Sequence, residues 1–316
     1  FDLRKPAVVF SNNPFEDADT DVLKTARAKG VPTVILPKSW DNLSKMNMRV
    51  RPDLLLLWGS TLVPDARRFH DMNEKNIRIV GVPQYDIYDE PGMVVSREEF
   101  FHTIGADPMR PLIVFGSEGK ISPDDGDTAA ILYGMLQALP VAGRPQLFLR
   151  PYYALEGEEK KFAALAGKDG VVIDTFFTPR LQFRDRWDWS REHARHYANL
   201  MAHMSVMVCS ASTLTLDAVY RDKPVINIAF DGKRELPYGE SVRRWYDSTH
   251  FKAILAYNGT SVVWNPAELQ TATISALSDP SRQSSGRAAL RAAYCPKIPG
   301  GSGKAIADAV LTFLPK

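Results

Sequence analysis

Residues Cys209 to Phe230 read CSASTLTLDAVYRDKPVINIAF. An apolar run, Ser205–Cys209, ends where this stretch begins, and a second, Pro224–Ala229, lies at its close. The segment between them, Thr213–Tyr220, has helical character. Strand, helix and strand in so few residues imply a βαβ unit with parallel strands. Five hydroxyl or carboxylate side chains, Ser210, Ser212, Thr213, Thr215 and Asp217, interrupt the apolar pattern just after the first strand.

The same alternation extends in both directions. Towards the N-terminus the second half of the chain shows strand-like runs at Pro111–Phe115, Gln146–Arg150 and Val171–Thr175, and towards the C-terminus one at Ser261–Trp264. Helices are expected at Thr128–Leu139, Glu192–Met204 and Pro266–Leu277. Continuous apolar strands with helices between them belong to a parallel sheet covered on both faces. The first half carries four more such runs, at Ala7–Phe10, Pro32–Leu36, Asp53–Trp58 and Ile77–Val82. The stretch Pro83–Pro111, with its PQYDIYDEPG and ADPMRP segments, breaks the rhythm and reads as a hinge. The expected organisation is therefore α/β, with two Rossmann-like doubly wound domains facing a cleft. Residues 1–107 form the first domain and residues 108–298 the second, with a last helix in 299–316 crossing back to the first. Because the chain starts almost directly in a strand and without Met, the first domain is expected to be N-terminally incomplete.

Composition excludes several classes. The 316 residues suffice for two cores, and 45% hydrophobic with 24% charged residues is globular rather than disordered. A net charge of +2 calls for no nucleic acid partner. Two cysteines, Cys209 and Cys295, provide no disulfide framework, so a reduced, cytoplasmic protein is expected. No apolar run reaches the roughly 20 residues of a membrane helix. Contact with a membrane surface, if any, would be peripheral, at the inner face. His193, His196 and His203 share a helix at spacings that do not gather them on one face. They read as helix surface or pocket edge, and no metal site is expected.

In a doubly wound domain, ligands bind outside the carboxyl ends of the strands. Those ends carry Gly116-Ser117-Glu118-Gly119-Lys120, Arg150-Pro151-Tyr152, Thr178-Pro179-Arg180 and Ser210-Ala211-Ser212-Thr213. Glycines and hydroxyl residues at a helix start present backbone N–H groups to an anion. Arg150 and Lys120 add charge, the arginine through its bidentate fork. This pattern fits a diphosphate. Asp217, one turn into the helix, has the chemistry to accept the two hydroxyls of a ribose. The plainer reading is that Ser212 or Thr213 caps the helix and Asp217 complements its dipole. Tyr197 either faces a base or packs in the core or at the surface.

The segment SASTLTLDAVYRDKPVINIAFDG resembles the nucleotide-binding segment of GT-B glycosyltransferases. The similarity is to bacterial enzymes of surface and capsular polysaccharide assembly and their relatives that transfer glycerol phosphate. Pro37–Ser44 is similar to their SWDNL-type loop, Val80–Asp86 to their VGxPxxD segment, and Tyr246–Phe251 with Val262–Leu269 to their late His-bearing helix and final strand. The resemblance implies metal-independent, cofactor-free transfer of a sugar from a nucleotide-sugar donor to a hydroxyl of a polysaccharide, glycolipid or saccharide acceptor. It places Gly116, Ser117, Glu118, Lys120, Arg150, Thr178, Ser210, Ser212, Thr213 and Asp217 on the donor, with Asp41 and His250 as catalytic candidates. An Asx-type turn is the plainer role for Asp41 or Asn42. Relatives often carry Arg-Pro-His-Pro where this chain has Arg150-Pro151-Tyr152-Tyr153. Other GT-B enzymes, a nucleotide-sugar 2-epimerase or a CDP-glycerol glycerophosphotransferase, and a non-catalytic nucleotide-sugar binder are the alternatives.

GGSGKA, Gly300–Ala305, lacks the glycine spacing and preceding strand of a phosphate loop, so it reads as a link into the last helix. Phe183, Trp187 and Trp189 among arginines read as an acceptor-side flap or a membrane-surface contact.

Overall fold

A computed structural model of the chain describes residues 4–176 and 190–314. They fold into two compact units, one of residues 4–86 with 291–314 and the other of residues 87–176 with 190–290.

The first unit holds a parallel four-stranded sheet of β1 (Val9–Ser11), β2 (Thr33–Ile35), β3 (Leu54–Leu57) and β4 (Ile77–Ile79), in the spatial order β1-β2-β3-β4. The strands are short, and β2 and β3 are wholly buried, β3 with an unbroken run of four leucines. The helix Asp17–Ala28 buries Thr20, Leu23 and Ala26 at helical spacing, with acids in its first turn and Arg27 in its last, matching its dipole. The end of the chain returns to this unit. The helix Ser302–Leu311 receives the Asp86 carboxylate on its first amides, from Ser302 N at 3.0 Å and Gly303 N at 2.7 Å. GGSGKA is thus the start of a helix whose amides are already taken by a carboxylate. Gly81, at φ +75°, passes so close that a Cβ there would lie 2.5 Å from Ser302 Oγ.

The second unit holds a six-stranded parallel sheet of β5 (Leu112–Gly116), β6 (Gln146–Arg150), β7 (Val171–Ile173), β8 (Val206–Cys209), β9 (Val225–Ile228) and β10 (Ser261–Val263). Its order is β10-β9-β8-β5-β6-β7. Four of these strands, β5, β6, β8 and β9, are buried along their whole length. Phe115, Leu147, Leu149, Val208 and Ile226 pack with Leu132 and Leu136 of the helix Asp125–Gln137 and with Phe162 and Leu269. The helix Pro266–Ser278 starts at Asn265, whose Oδ1 accepts from Glu268 N at 3.0 Å while Glu268 Oε2 accepts from Trp264 N at 2.8 Å. That reciprocal pair, with Pro266 at the first helical position, fixes where the chain leaves the last strand.

The two compact units divide the chain at 86/87 and 290/291, beside the 107/108 and 298/299 read in the sequence. Most of the stretch read as a hinge is folded into the second unit. It forms the helix Arg97–Ile104, capped by Ser96 and ended by Gly105. The Arg97 guanidinium donates to the carbonyls of Pro108, His203 and Arg110 at 2.6–2.8 Å. Three bonds from a charged donor hold this segment to the sheet domain. No helix among the described residues is long and apolar enough to cross a membrane.

Candidate anion site at the strand ends of the second unit

The strand order reverses at β5, with β6 and β7 on one side and β8 to β10 on the other. The crevice of such a sheet lies at the carboxyl ends of the two strands flanking the reversal, here β5 and β8. The register sets one row there: Arg150 opposite Gly116, Gly116 opposite Cys209, and Cys209 opposite Asn227. Four segments that are remote in sequence are therefore neighbours in space.

Gly116 leaves room for a side chain packed on it. A Cβ on it would sit 2.2 Å from Leu214 Cδ1, the first residue of the helix Leu214–Tyr220. The glycine lets this helix start directly against the end of β5. Ser212 Oγ accepts from Leu214 N at 3.1 Å, while Thr213 makes no side-chain cap bond at the N-cap. Capping therefore falls to Ser212 two residues upstream, an ST-type turn.

Ser117 is wholly buried and donates to Asp125 Oδ2 at 2.6 Å. Asp125 also accepts from Ser122 Oγ at 2.5 Å and from Glu118 N at 3.0 Å. Ser210 Oγ reaches Ser122 Oγ at 3.5 Å, which ties the ends of β5 and β8 into one polar cluster. Burial pushes the Asp125 carboxyl up to about 6, against the Ser117, Ser122 and Glu118 bonds that favour its charge. Ser117 thus shapes the turn after β5 through Asp125. Burial likewise pushes the Cys209 thiol well up, so the cysteine acts as core.

Arg150 ends β6 with 5% of its surface exposed. Its guanidinium carbon lies over the Tyr153 ring at 4.5 Å and the Tyr197 ring at 5.2 Å from the centroids. Nε is buried without a hydrogen-bond partner. Burial alone would lower the Arg150 pKa, but the surrounding Tyr153, Tyr197, Asp174 and Glu118 hold it raised. Tyr153 donates to Asp174, and Tyr197 donates to Asp217 at 2.6 Å. His196 Nε2 is 3.1 Å from the same Asp174 oxygen, and Phe176 stacks flat on the His196 ring at 4.3 Å. Burial would raise the Asp174 carboxyl; the His196 and Tyr153 bonds more than offset it and hold it lowered.

The sequence-derived residues divide accordingly. Gly116, Ser117, Arg150, Ser210 and Ser212 come together at the strand ends, with Glu118 joined through its amide. Asp217 is buried and its Oδ2 accepts from the Tyr197 hydroxyl. Lys120 is exposed in the short turn of helix Gly119–Ile121. His250, in the first turn of the helix Thr249–Leu255, lies 3.2 Å from Ser248 Oγ. Asp41 belongs to the first unit and pairs with Lys45 at 2.5 Å, while Asn42 Oδ1 accepts from Ser39 N. Asn42 thus bonds back to the amide three residues before it, the reverse of an Asx turn. Thr178 and the aromatic, arginine-bearing loop 177–189 lie outside the described residues.

Five participants went unread or misread: Ser122, Asp125, Tyr153, Asp174 and His196. His196, expected at a helix surface or pocket edge, is buried against Asp174. Its signal was available, since it stands on the face of helix Arg191–His203 that also carries Tyr197 and Leu200.

No protein-family model matches the chain, and no curated protein matches its sequence. Solved structures do match. Over 98% of its length the chain is similar to the UDP-GlcNAc 2-epimerase from Neisseria meningitidis bound to UDP-GlcNAc, with TM-score 0.64, 9% identity and 77% of that chain covered. A glycosyltransferase from Rickettsia africae matches over 98% of this chain and 77% of its own, with TM-score 0.53 and 10% identity. The wall teichoic acid polymerase TagF matches over 96% and 88%, with TM-score 0.51 and 11% identity. With its parallel sheets of four and six strands in two units, the chain is a two-domain α/β protein of the GT-B fold.

Proposed function

We propose that this chain is a transferase that binds a nucleotide-linked sugar at the strand ends of the second unit. The sugar passes to a hydroxyl of a polysaccharide, glycolipid or saccharide acceptor. The observation that carries the reading is Arg150: a buried cation at the switch point of a doubly wound sheet, with no hydrogen bond to its Nε. A desolvated guanidinium without a bonded anion is costly unless a ligand supplies one. Beside it lie the turn after β5 and the start of the helix Leu214–Tyr220, whose Glu118 and Leu214 amides are held by Asp125 and Ser212.

The chemistry follows from that placement. The acceptor oxygen forms a bond to the anomeric carbon while the bond from that carbon to the diphosphate oxygen breaks. The electron pair leaves with the nucleoside diphosphate, and the acceptor proton passes to a base. Charge accumulates on the leaving diphosphate, so a fixed cation there lowers the barrier. The proposed donor set is Gly116, Ser117, Glu118, Lys120, Arg150, Thr178, Ser210, Ser212, Thr213 and Asp217. Asp41 and His250 are the candidate bases, Asp41 after its bond to Lys45 opens.

The fold is shared with a 2-epimerase that binds UDP-GlcNAc and with a teichoic acid polymerase. The experiment that separates these activities is incubation with UDP-GlcNAc and other nucleotide sugars, with and without saccharide acceptors. Nucleotide release that depends on acceptor is the result expected here. Conversion to an epimeric sugar without acceptor would replace the proposed reaction by epimerisation. Release of glycerol phosphate from CDP-glycerol to a polyol acceptor would replace the sugar by that group.

A further inference from the structure

Buried arginines ordinarily pair with carboxylates, and this one stands among several. Asp174 and Glu118 both act on its charge. Neither is hydrogen-bonded to it, and Nε has no partner at all. Asp174 is occupied instead by the Tyr153 hydroxyl and by His196, and Asp217 by the Tyr197 hydroxyl. Those same two tyrosines present their rings to the guanidinium.

The division of labour is specific. Burial and Asp174 push the Tyr153 phenol well above its ordinary value, and burial and Asp217 do the same for Tyr197. Both hydroxyls are therefore protonated donors, and each is committed to a carboxylate. A ring face stabilises a desolvated guanidinium without using its N–H groups. The cation is thereby held while its donors remain available for an anion.

We propose that Tyr153 and Tyr197 are positioning residues. Their rings hold the Arg150 guanidinium, and their hydroxyls keep Asp174 and Asp217 from pairing with it. Arg150 is thereby reserved for a diphosphate group. The inference rests on the donor-site reading given above. It assigns the tyrosine of Arg150-Pro151-Tyr152-Tyr153 a function of its own: it supplies the arginine's support rather than a further phosphate ligand. Removing either hydroxyl opens an acceptor position on a buried carboxylate, which then competes for the arginine.

The test compares wild type, Tyr153→Phe, Tyr197→Phe and Arg150→Ala by calorimetric titration with UDP, CDP, GDP and inorganic diphosphate. It adds the NMR signal of the Arg150 Nε–H group without ligand. Wild type is expected to bind at least one of these probes and Arg150→Ala to lose it. Each Phe variant should weaken binding by about tenfold, the scale of one charged hydrogen bond. In the Phe variants the Nε–H signal should move, before any ligand is added, to the position of a carboxylate-bonded arginine. A purely structural role would lower the melting temperature and leave both affinity and signal unchanged in the folded protein. If Tyr153→Phe fails to fold, Tyr197→Phe carries the same expectation through Asp217. Unchanged affinity in the folded Phe variants, with binding lost in Arg150→Ala, overturns the inference and leaves the donor site standing. Absence of binding to every probe in wild type overturns both.

Discussion

Asp86 and Ser302 are 216 residues apart in sequence, yet the Asp86 carboxylate accepts the Ser302 amide at 3.0 Å and the Gly303 amide at 2.7 Å. A carboxylate from one end of the first unit thereby supplies the cap that the helix Ser302–Leu311 lacks, its N-cap Gly301 having no side chain to give. Replacing Asp86 by Ala should cost about 1 kcal/mol, the usual scale of a lost N-cap. Amide hydrogen exchange over residues 302–311 would then quicken by about fivefold. Exchange at the wild-type rate would mean the cap is idle.

Gly116→Ala tests the closeness of β5 to the helix Leu214–Tyr220. The added methyl would meet Leu214 Cδ1 at 2.2 Å, and Leu214 is itself buried. Overpacking of this kind costs about 1–3 kcal/mol. The chemical denaturation midpoint should fall, and nucleotide affinity with it, because the helix start is displaced from the crevice. A variant with wild-type stability would show that Leu214 turns aside freely.

Asp125 makes stability depend on pH. Its carboxyl is pushed from an ordinary 3.8 to about 6 in the folded protein, so the folded state holds the proton more tightly than the unfolded chain. Its contribution is fully present below about pH 4, falls as pH rises, and is lost above about pH 6. At about 1.4 kcal/mol per pH unit, this window is worth about 3 kcal/mol. Asp125→Asn should remove that slope. Urea midpoints of both proteins at pH 4 and pH 6.5 give the comparison, and parallel shifts in the two would contradict the assignment.

Much of the second unit could be read from residues alone, for a simple reason. Strands such as LIVFG and VMVC are buried on both faces, so they are continuous apolar runs that no surface helix would carry. Their ends then locate Gly116, Arg150 and Ser210 without knowledge of side chains. The helix Arg97–Ile104 was lost to the neighbouring Pro and Gly residues, because what fixes it is the Arg97 guanidinium reaching His203, 106 residues away. The same limit hid the polar supports of the site. Asp125 in a first helical turn looks like a dipole partner, and only burial against Ser117 and Ser122 gives it another role. Tyr153, Asp174 and His196 meet across separations of 21 and 22 residues that no local period encodes.

The central claim is that the buried Arg150 receives the diphosphate of a nucleotide-linked donor. The most direct measurement is calorimetric titration of UDP, CDP and GDP, and of sugar conjugates of whichever binds, into wild type and Arg150→Lys. Lysine keeps the charge but not the planar fork that lies over the two tyrosine rings. Saturable binding to wild type, weakened by about 10- to 100-fold in Arg150→Lys, is the expected result. Equal affinity in the two proteins, or no binding in wild type, would contradict it.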